Sequence, residues 1–423
     1  MRKKIAFIRA ETWPYANTRM VEVLQDEFPE YEIIILDVYD TVKKQPLVLI
    51  RNILEVIRIY GLEIIAHKKR ARRVFWRTPY IFQQIKKLVQ KTFSNESIAF
   101  SFQMQSIFDG SMTGIPHFVY TDHTHLANLS YPNFSTSHLY SRYWINLEKM
   151  IYDNASMVFV RSSNIINSLV KDYSCPATKI VCAYAGSNAV HHEPQIDLDR
   201  YKKKNILFVG IDWERKGGPD LIQAFKLTLQ THPDATLTIV GCSPLIDSPN
   251  CHVIGRIPVD AVNQYYREAS IFCLPTHLEP FGIAFIEAMA SKLPIVATNV
   301  GAIPDFVNDG VTGFLVPPGN EKSIANALTA LLSDPKKMQE FGEKGYELAR
   351  SRYTWLAVGK LMKSHINNVL EKISYPAEAA PNSQEETEQI IVRYPFLRLK
   401  LFLEKKFENI YHLVFKTGLD RDK

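Results

Sequence analysis

Short apolar runs alternate with amphipathic stretches along most of the chain. Residues 5–8 and 32–36 are apolar runs, and residues 17–27 between them have helical spacing. Further runs fall at 98–102, 117–120 and 157–160, with helical stretches such as 141–153 separating some of them. Strands alternating with helices predict a parallel sheet covered on both faces. The pattern sharpens after residue 200. It predicts strands at 205–209, 236–240, 253–254, 270–274, 295–298 and 313–316. Helices are predicted from Pro219 to about 230 and at 258–268, 281–290 and 323–333. Pro219 suits a first helical position. Strands ending at Gly210, Gly241 and Gly255 mark a doubly wound unit, in which ligands bind outside the carboxyl ends of the strands.

The 423 residues suffice for two or three domains. The pattern divides them into a Rossmann-like domain at 1–195, a second at 196–352 and a helix at 353–374 that crosses back to the first. A linker at 375–388 and an amphipathic basic tail at 389–423 follow. A hydrophobic fraction of 46% and a charged fraction of 22% exclude a disordered or collagenous chain. Five cysteines, an odd number without C-x-x-C spacing, argue against a disulfide framework and for a reducing cytoplasm. No signal peptide is visible after Met1, and the nearest approach to a spanning helix, 47–65, is interrupted by Arg51, Glu55, Arg58 and Glu63.

Charge changes the picture in one place. Residues 43–91, read as a basic insertion in the first domain, hold thirteen Lys/Arg and two Glu, or +11, within a chain of net +6. The segment suits an anionic membrane surface at the inner face of a membrane, with Phe75 and Trp76 as interfacial anchors. An acidic glycan and a plain solvated face are the alternatives; no nucleic-acid module is recognisable. The tail either forms a second interfacial helix or docks on the first domain.

Candidate chemistry clusters near residue 280. Glu279 precedes Pro280 and Gly282 on a loop, and Glu287 lies within an apolar helix, where a carboxylate needs a hydrogen-bond donor such as a ribose diol. The N–H groups of Gly282 and Ile283 open that helix and suit a phosphate. Arg215 and Lys216, before Gly217 and Gly218, are placed to meet a diphosphate. His123 and His125 end the run 117–120 and are expected to face an interdomain cleft. Their H-x-H spacing is compatible with zinc, but no third ligand accompanies them.

These elements resemble the retaining glycosyltransferases of family 4, with the GT-B fold. The E-x7-E element is Glu279 and Glu287, and Gly301-Ala302-Ile303-Pro304-Asp305 and Gly313-Phe314-Leu315-Val316 follow in the family's order. The resemblance is strong over 200–355 and weak before it, apart from Thr121-Asp122-His123-Thr124. It implies an α/β architecture of two Rossmann-like domains facing a cleft. It implies that Glu287 binds the donor ribose and that Glu279 contacts the donor sugar. Arg215, Lys216 and the amides of Gly282 and Ile283 would hold the diphosphate, with His123 facing the transferred sugar. It further implies metal-independent hexosyl transfer, with no cofactor beyond a nucleotide sugar, to a glycan or lipid-linked acceptor in polysaccharide or glycolipid synthesis. Two departures stand out: Trp13 to Arg19 replaces a Gly-Gly turn, and Ile211 rather than Arg follows Gly210. A non-catalytic nucleotide-sugar sensor or partner subunit is the alternative reading; a GT-B epimerase or phosphorylase is another, and no context marks a pyridoxal-phosphate lysine.

Overall fold

The computed structural model describes residues 3–12, 16–132, 134–187 and 197–374. They form two six-stranded parallel sheets. The first contains β1 (Lys4–Arg9), β2 (Glu32–Asp37), β3 (Ile98–Met104), β4 (His117–Thr121), β5 (Met157–Val160) and β6 (Ile180–Cys182), in the spatial order β2-β1-β3-β4-β5-β6. The second contains β7 (Asn205–Val209), β8 (Thr236–Val240), β9 (Cys251–Gly255), β10 (Ile271–Leu274), β11 (Ile295–Thr298) and β12 (Gly313–Val316), in the order β12-β11-β10-β7-β8-β9. All pairings are parallel.

Parallel strands buried on both faces are apolar at consecutive positions, and β1 and β10 show why. Ile5, Ala6, Phe7 and Ile8 are fully buried, as are Ile271, Phe272, Cys273 and Leu274. The edge strands β2 and β9 are partly exposed, and His252 interrupts the apolar run of β9. In the second sheet the strand order reverses between β7 and β10, which fixes where a ligand crevice opens.

The predicted helices form within a few residues of their expected ends. Ser141 caps Arg142–Asn154 by accepting a hydrogen bond from the Trp144 amide at 3.3 Å. Features beyond the sequence expectation include β6, the helices Pro79–Phe93, Ser163–Lys171 and Pro335–Arg352, and the 20-residue helix Pro46–Ile65 inside the basic segment.

The last helix, Trp355–Ser374, leaves the second sheet and packs on Ala16–Glu27 of the first. Val358, Met362 and Ile366 are buried there, Lys363 lies 3.7 Å from Glu27, and Gly359 faces Val23. At the crossing, Ser187 donates to the Tyr353 carbonyl at 3.0 Å, and a side chain at Gly186 would overlap Trp355. Asp305, on the short helix after β11, accepts from the Ser163 amide at 2.7 Å and its hydroxyl at 2.6 Å. A carboxylate attached to one sheet thus caps a helix of the other.

Candidate active site

Two loops meet at the reversal of the second sheet. The loop after β7 carries Arg215, Lys216 and Gly217; the loop after β10 carries Thr276 to Gly282. They are stitched through backbone. The Arg215 carbonyl accepts from the His277 amide at 2.9 Å and the Thr276 hydroxyl at 3.0 Å, and the Arg215 guanidinium donates to the Leu278 carbonyl at 2.7 Å. Gly217 has φ of 75°, and a side chain there would overlap the Pro275 carbonyl. Only glycine permits both the left-handed turn and the contact.

Lys216 donates from Nζ to Glu279 Oε2, and the two side chains are 11% and 7% exposed. Arg215 Nε lies 3.4 Å from Asp212, with the Arg215 side chain 36% exposed. The two cations expected to face a diphosphate thus each have a carboxylate partner within the chain, so the four-residue cluster is formally neutral.

The amides of Gly282 and Ile283 are in place. Gly282, with φ of 100°, opens the helix Ile283–Ala290. Among the described residues, the N–H groups of Gly282 and Ile283 have no internal acceptor. Glu287 sits four residues beyond Ile283, about 6 Å along the axis. It is half-buried, and its Oε2 accepts from the Tyr266 hydroxyl at 3.0 Å. Burial pushes its carboxyl up to about 7, against the lowering effect of that hydrogen bond. Tyr266 was not among the sequence candidates, because it lies on the separate helix Val259–Glu268.

The first sheet supplies the facing groups. The His123 carbonyl accepts from the hydroxyls of Thr121 at 2.8 Å and Ser106 at 3.1 Å, which fixes the turn after β4. Burial lowers the pKa of the His123 imidazole, so the ring is neutral at pH 7, and its Nδ1 is buried without a hydrogen-bond partner among the described residues. The ring stacks on Tyr131 at 6.3 Å between centroids. Tyr131 in turn reaches the other loop: a Cβ on Gly301 would lie 2.8 Å from its hydroxyl and overlap the Glu279 carbonyl. Burial and the Glu279 charge both raise the pKa of that phenol, and its oxygen is buried without a hydrogen-bond partner among the described residues. Tyr131 thus links the wall bearing His123 to the wall bearing Glu279. The sequence offered no motif that marks it.

His125 does not face this cleft. Its Nε2 accepts from the Tyr140 amide at 2.7 Å, its ring stacks on Tyr140 at 4.4 Å, and its own amide donates to Glu148 at 2.9 Å. These contacts turn it into a separate cavity of the first lobe. The interfacial role expected of Phe75 and Trp76 is also corrected. Phe75 is buried, and Trp76 stacks on Tyr39 at 3.8 Å. The exposed apolar groups of the segment lie instead on the helix Pro46–Ile65. Leu47, Leu54, Leu62 and Ile65 point outward with Arg51 and Arg58 between them, while Leu49, Asn52, Val56 and Tyr60 point inward. No helix among the described residues is long and apolar enough to cross a membrane. Residues 13–15 of the Trp13 to Arg19 departure, the linker and the basic tail lie outside the described residues, while Ala16 to Arg19 open the helix Ala16–Glu27.

With this geometry in view, the architecture is recognisable as the GT-B fold. It is similar to the sucrose-phosphate synthase of Thermosynechococcus elongatus, with a TM-score of 0.61 and 17% identity over 88% of this chain and 100% of that one. It is also similar to Anabaena HepE solved with UDP and glucose, with a TM-score of 0.56 and 16% identity over 86% and 99% of the two chains. Residues 193–348, which hold the Arg215, Lys216, Glu279 and Glu287 cluster, match the family described as glycosyl transferases group 1. The capsular polysaccharide biosynthesis glycosyltransferase CapM of Staphylococcus aureus is 26% identical over 53% of this chain and 65% of its own length. A D-inositol 3-phosphate glycosyltransferase of Corynebacterium aurimucosum is 28% identical over 51% of this chain and 58% of its own. The match thus spans less than two thirds of each of these curated relatives.

Proposed function

We propose that this chain is a metal-independent, retaining glycosyltransferase of family 4. It moves a sugar from a nucleoside-diphosphate donor to a hydroxyl of a glycan or lipid-linked acceptor. One observation carries the reading. At the reversal of the second sheet, a buried Lys216–Glu279 pair, two unpaired helix-opening amides and a half-buried Glu287 lie along one loop-to-helix junction. That sequence of groups suits a sugar, a diphosphate and a ribose in turn. The names of the similar glycosyltransferases support the same class.

In this reading Glu287 accepts from the ribose diol, while its Oε2 also accepts from the Tyr266 hydroxyl. The amides of Gly282 and Ile283 bind diphosphate oxygens, and Lys216 and Arg215 complement the charge that develops as the diphosphate leaves. The bond from the anomeric carbon to the phosphate oxygen breaks, and the bond to the acceptor oxygen forms on the same face. The acceptor's proton passes to the departing phosphate. Neutral His123 and the Tyr131 hydroxyl face the sugar and orient it, so catalysis rests on positioning and electrostatics. The outward Leu/Ile/Arg stripe of Pro46–Ile65, followed by exposed Lys68, Arg70, Arg72 and Arg73, supports peripheral contact with an anionic membrane.

Calorimetry with a panel of nucleotides and nucleotide sugars tests the donor assignment and names the base and sugar. Binding of a nucleoside diphosphate that is unchanged in both Glu287→Ala and Lys216→Ala would overturn it.

A further inference from the structure

A cavity of about 370 Å³ opens in the first lobe, away from the Glu279 loop. Its lining includes Lys68, Lys69, Arg70, Arg73, His125 and Tyr140, and contains no carboxylate. The cations come from the segment that follows Pro46–Ile65. Lys69 is the unusual member. It is only 7% exposed, and its Nζ donates to the backbone carbonyls of Ser137 at 2.9 Å and Leu139 at 2.6 Å. Among the described residues no carboxylate lies within ion-pair distance of it, nor of Lys68, Arg70 or Arg73. A buried ammonium that feels the Glu63 charge only from beyond ion-pair distance is costly, and four cations on one concave wall repel one another. An anion in the cavity relieves both.

His125 adds a directed donor. Because its Nε2 accepts from the Tyr140 amide, its proton resides on Nδ1. Burial first, and then the nearby charges of Arg77 and Lys69, lower its pKa to about 3, which keeps that tautomer neutral near pH 7. The cavity also touches the cleft. Asn128 lines it, donates to the His125 carbonyl at 2.9 Å, and has its amide beside the His123 ring. His123 and His125 are two residues apart on one turn, so a ligand anchored in the cavity extends naturally past Asn128 toward the sugar-facing wall.

We infer that this cavity binds a phosphate or diphosphate carried by the acceptor, holding it between Lys69, Arg70, Arg73 and His125 while the acceptor's hydroxyl reaches His123. Calling the ligand an acceptor rests on the glycosyl-transfer reading; the existence of the anion site does not. The phosphate has two possible carriers, a lipid headgroup or a water-soluble sugar or polyol phosphate. The exposed apolar face of Pro46–Ile65 leads directly into the cavity wall, so the experiment separates the two.

The test is direct binding, by calorimetry on the full chain, of inorganic pyrophosphate and of a short prenyl diphosphate in non-ionic detergent. Four proteins are compared: wild type, Arg73→Glu, Arg72→Glu and Lys216→Ala. Arg72 is exposed and does not line the cavity, so it makes the same charge change beside the site. The inference expects Arg73→Glu to weaken binding roughly tenfold or more and Arg72→Glu to change it far less, as loss of a charge-assisted contact requires. Tighter binding of the prenyl ligand than of pyrophosphate assigns a lipid carrier; equal binding assigns a soluble one. Binding that falls only in Lys216→Ala belongs to the Glu279 loop and overturns the cavity site. Equal losses in the Arg72 and Arg73 variants reduce the cavity to a diffuse surface charge and also overturn it. Because the readout is affinity, failure here leaves donor binding by the other lobe untouched, and failure of the donor panel leaves this site testable. Lys69→Met, which also removes the clamp on Ser137 and Leu139, is used only with a melting curve showing that it folds.

Discussion

Lys216 and Glu279, 63 residues apart, form a buried ion pair that ties the loop after β7 to the loop after β10. The pair fixes the carboxylate that would face the donor sugar, and it takes up the charge of one of the two cations at the junction. Its energetics are therefore asymmetric. Breaking it strands a buried charge, whereas removing both partners does not.

Lys216→Met is expected to lower unfolding free energy by about 3 kcal/mol, and Lys216→Met with Glu279→Gln to recover most of that loss. Denaturant titration measures it. Nucleoside-diphosphate affinity should fall roughly tenfold to a hundredfold in the single variant and stay low in the double variant, since the ammonium is missing from both. Recovered affinity in the double variant would contradict a phosphate role for Lys216.

Glu287 gives a signed pH dependence. Its carboxyl titrates near 7 in the folded chain, above its ordinary value of 4.5. The folded state therefore holds a proton that the unfolded state has released between those values. This group contributes a loss of stability as pH rises from about 4.5 to about 7. Glu287→Gln should flatten that part of the melting-temperature profile. A ribose diol needs the ionised acceptor, so nucleotide affinity should climb from pH 6 to pH 8 in wild type and lose that climb in Glu287→Gln.

Tyr131→Phe removes a buried hydroxyl that has no hydrogen-bond partner among the described residues. Its melting temperature should hold or rise, because an unsatisfied polar group leaves the interior. Its turnover should drop about tenfold if the hydroxyl meets substrate, a change of about 1.4 kcal/mol in the barrier. Unchanged turnover would make Tyr131 a spacer between His123 and the Glu279 loop.

Retention and metal independence are checked together. Transfer should persist in excess chelator, and NMR of the product should show the donor's anomeric configuration. An inverted product, or activity restored only by a divalent ion, would contradict the front-face reading.

Liposome co-sedimentation reports on the membrane face. Wild type should pellet with anionic vesicles and less with neutral ones, and added salt should release it. Leu54→Glu with Leu62→Glu should abolish pelleting without loss of fold, since both side chains are exposed.

Much of this was readable because the parallel strands are buried on both faces. Runs such as Ile206, Leu207 and Phe208 announce themselves without any periodicity argument. The Glu279–Glu287 spacing was equally plain, being local. What escaped was set by distant contacts or by unusual exposure. Pro46–Ile65 is apolar on its outward face as well as its inward one, which blurs the helical period. Tyr266 and Tyr131 join the site from other elements, so no local motif contains them. His125 shares its turn with His123, yet the Tyr140 amide and Glu148 direct it elsewhere.

The return of Trp355–Ser374 onto Ala16–Glu27 has a consequence for biosynthesis. The first lobe leaves the ribosome early, but the side chains that cover its first helix arrive more than 300 residues later. At about 5–20 residues per second, that groove waits on the order of tens of seconds for Val358, Met362 and Ile366. During synthesis the nascent first lobe presents an uncovered apolar strip until the final helix closes it.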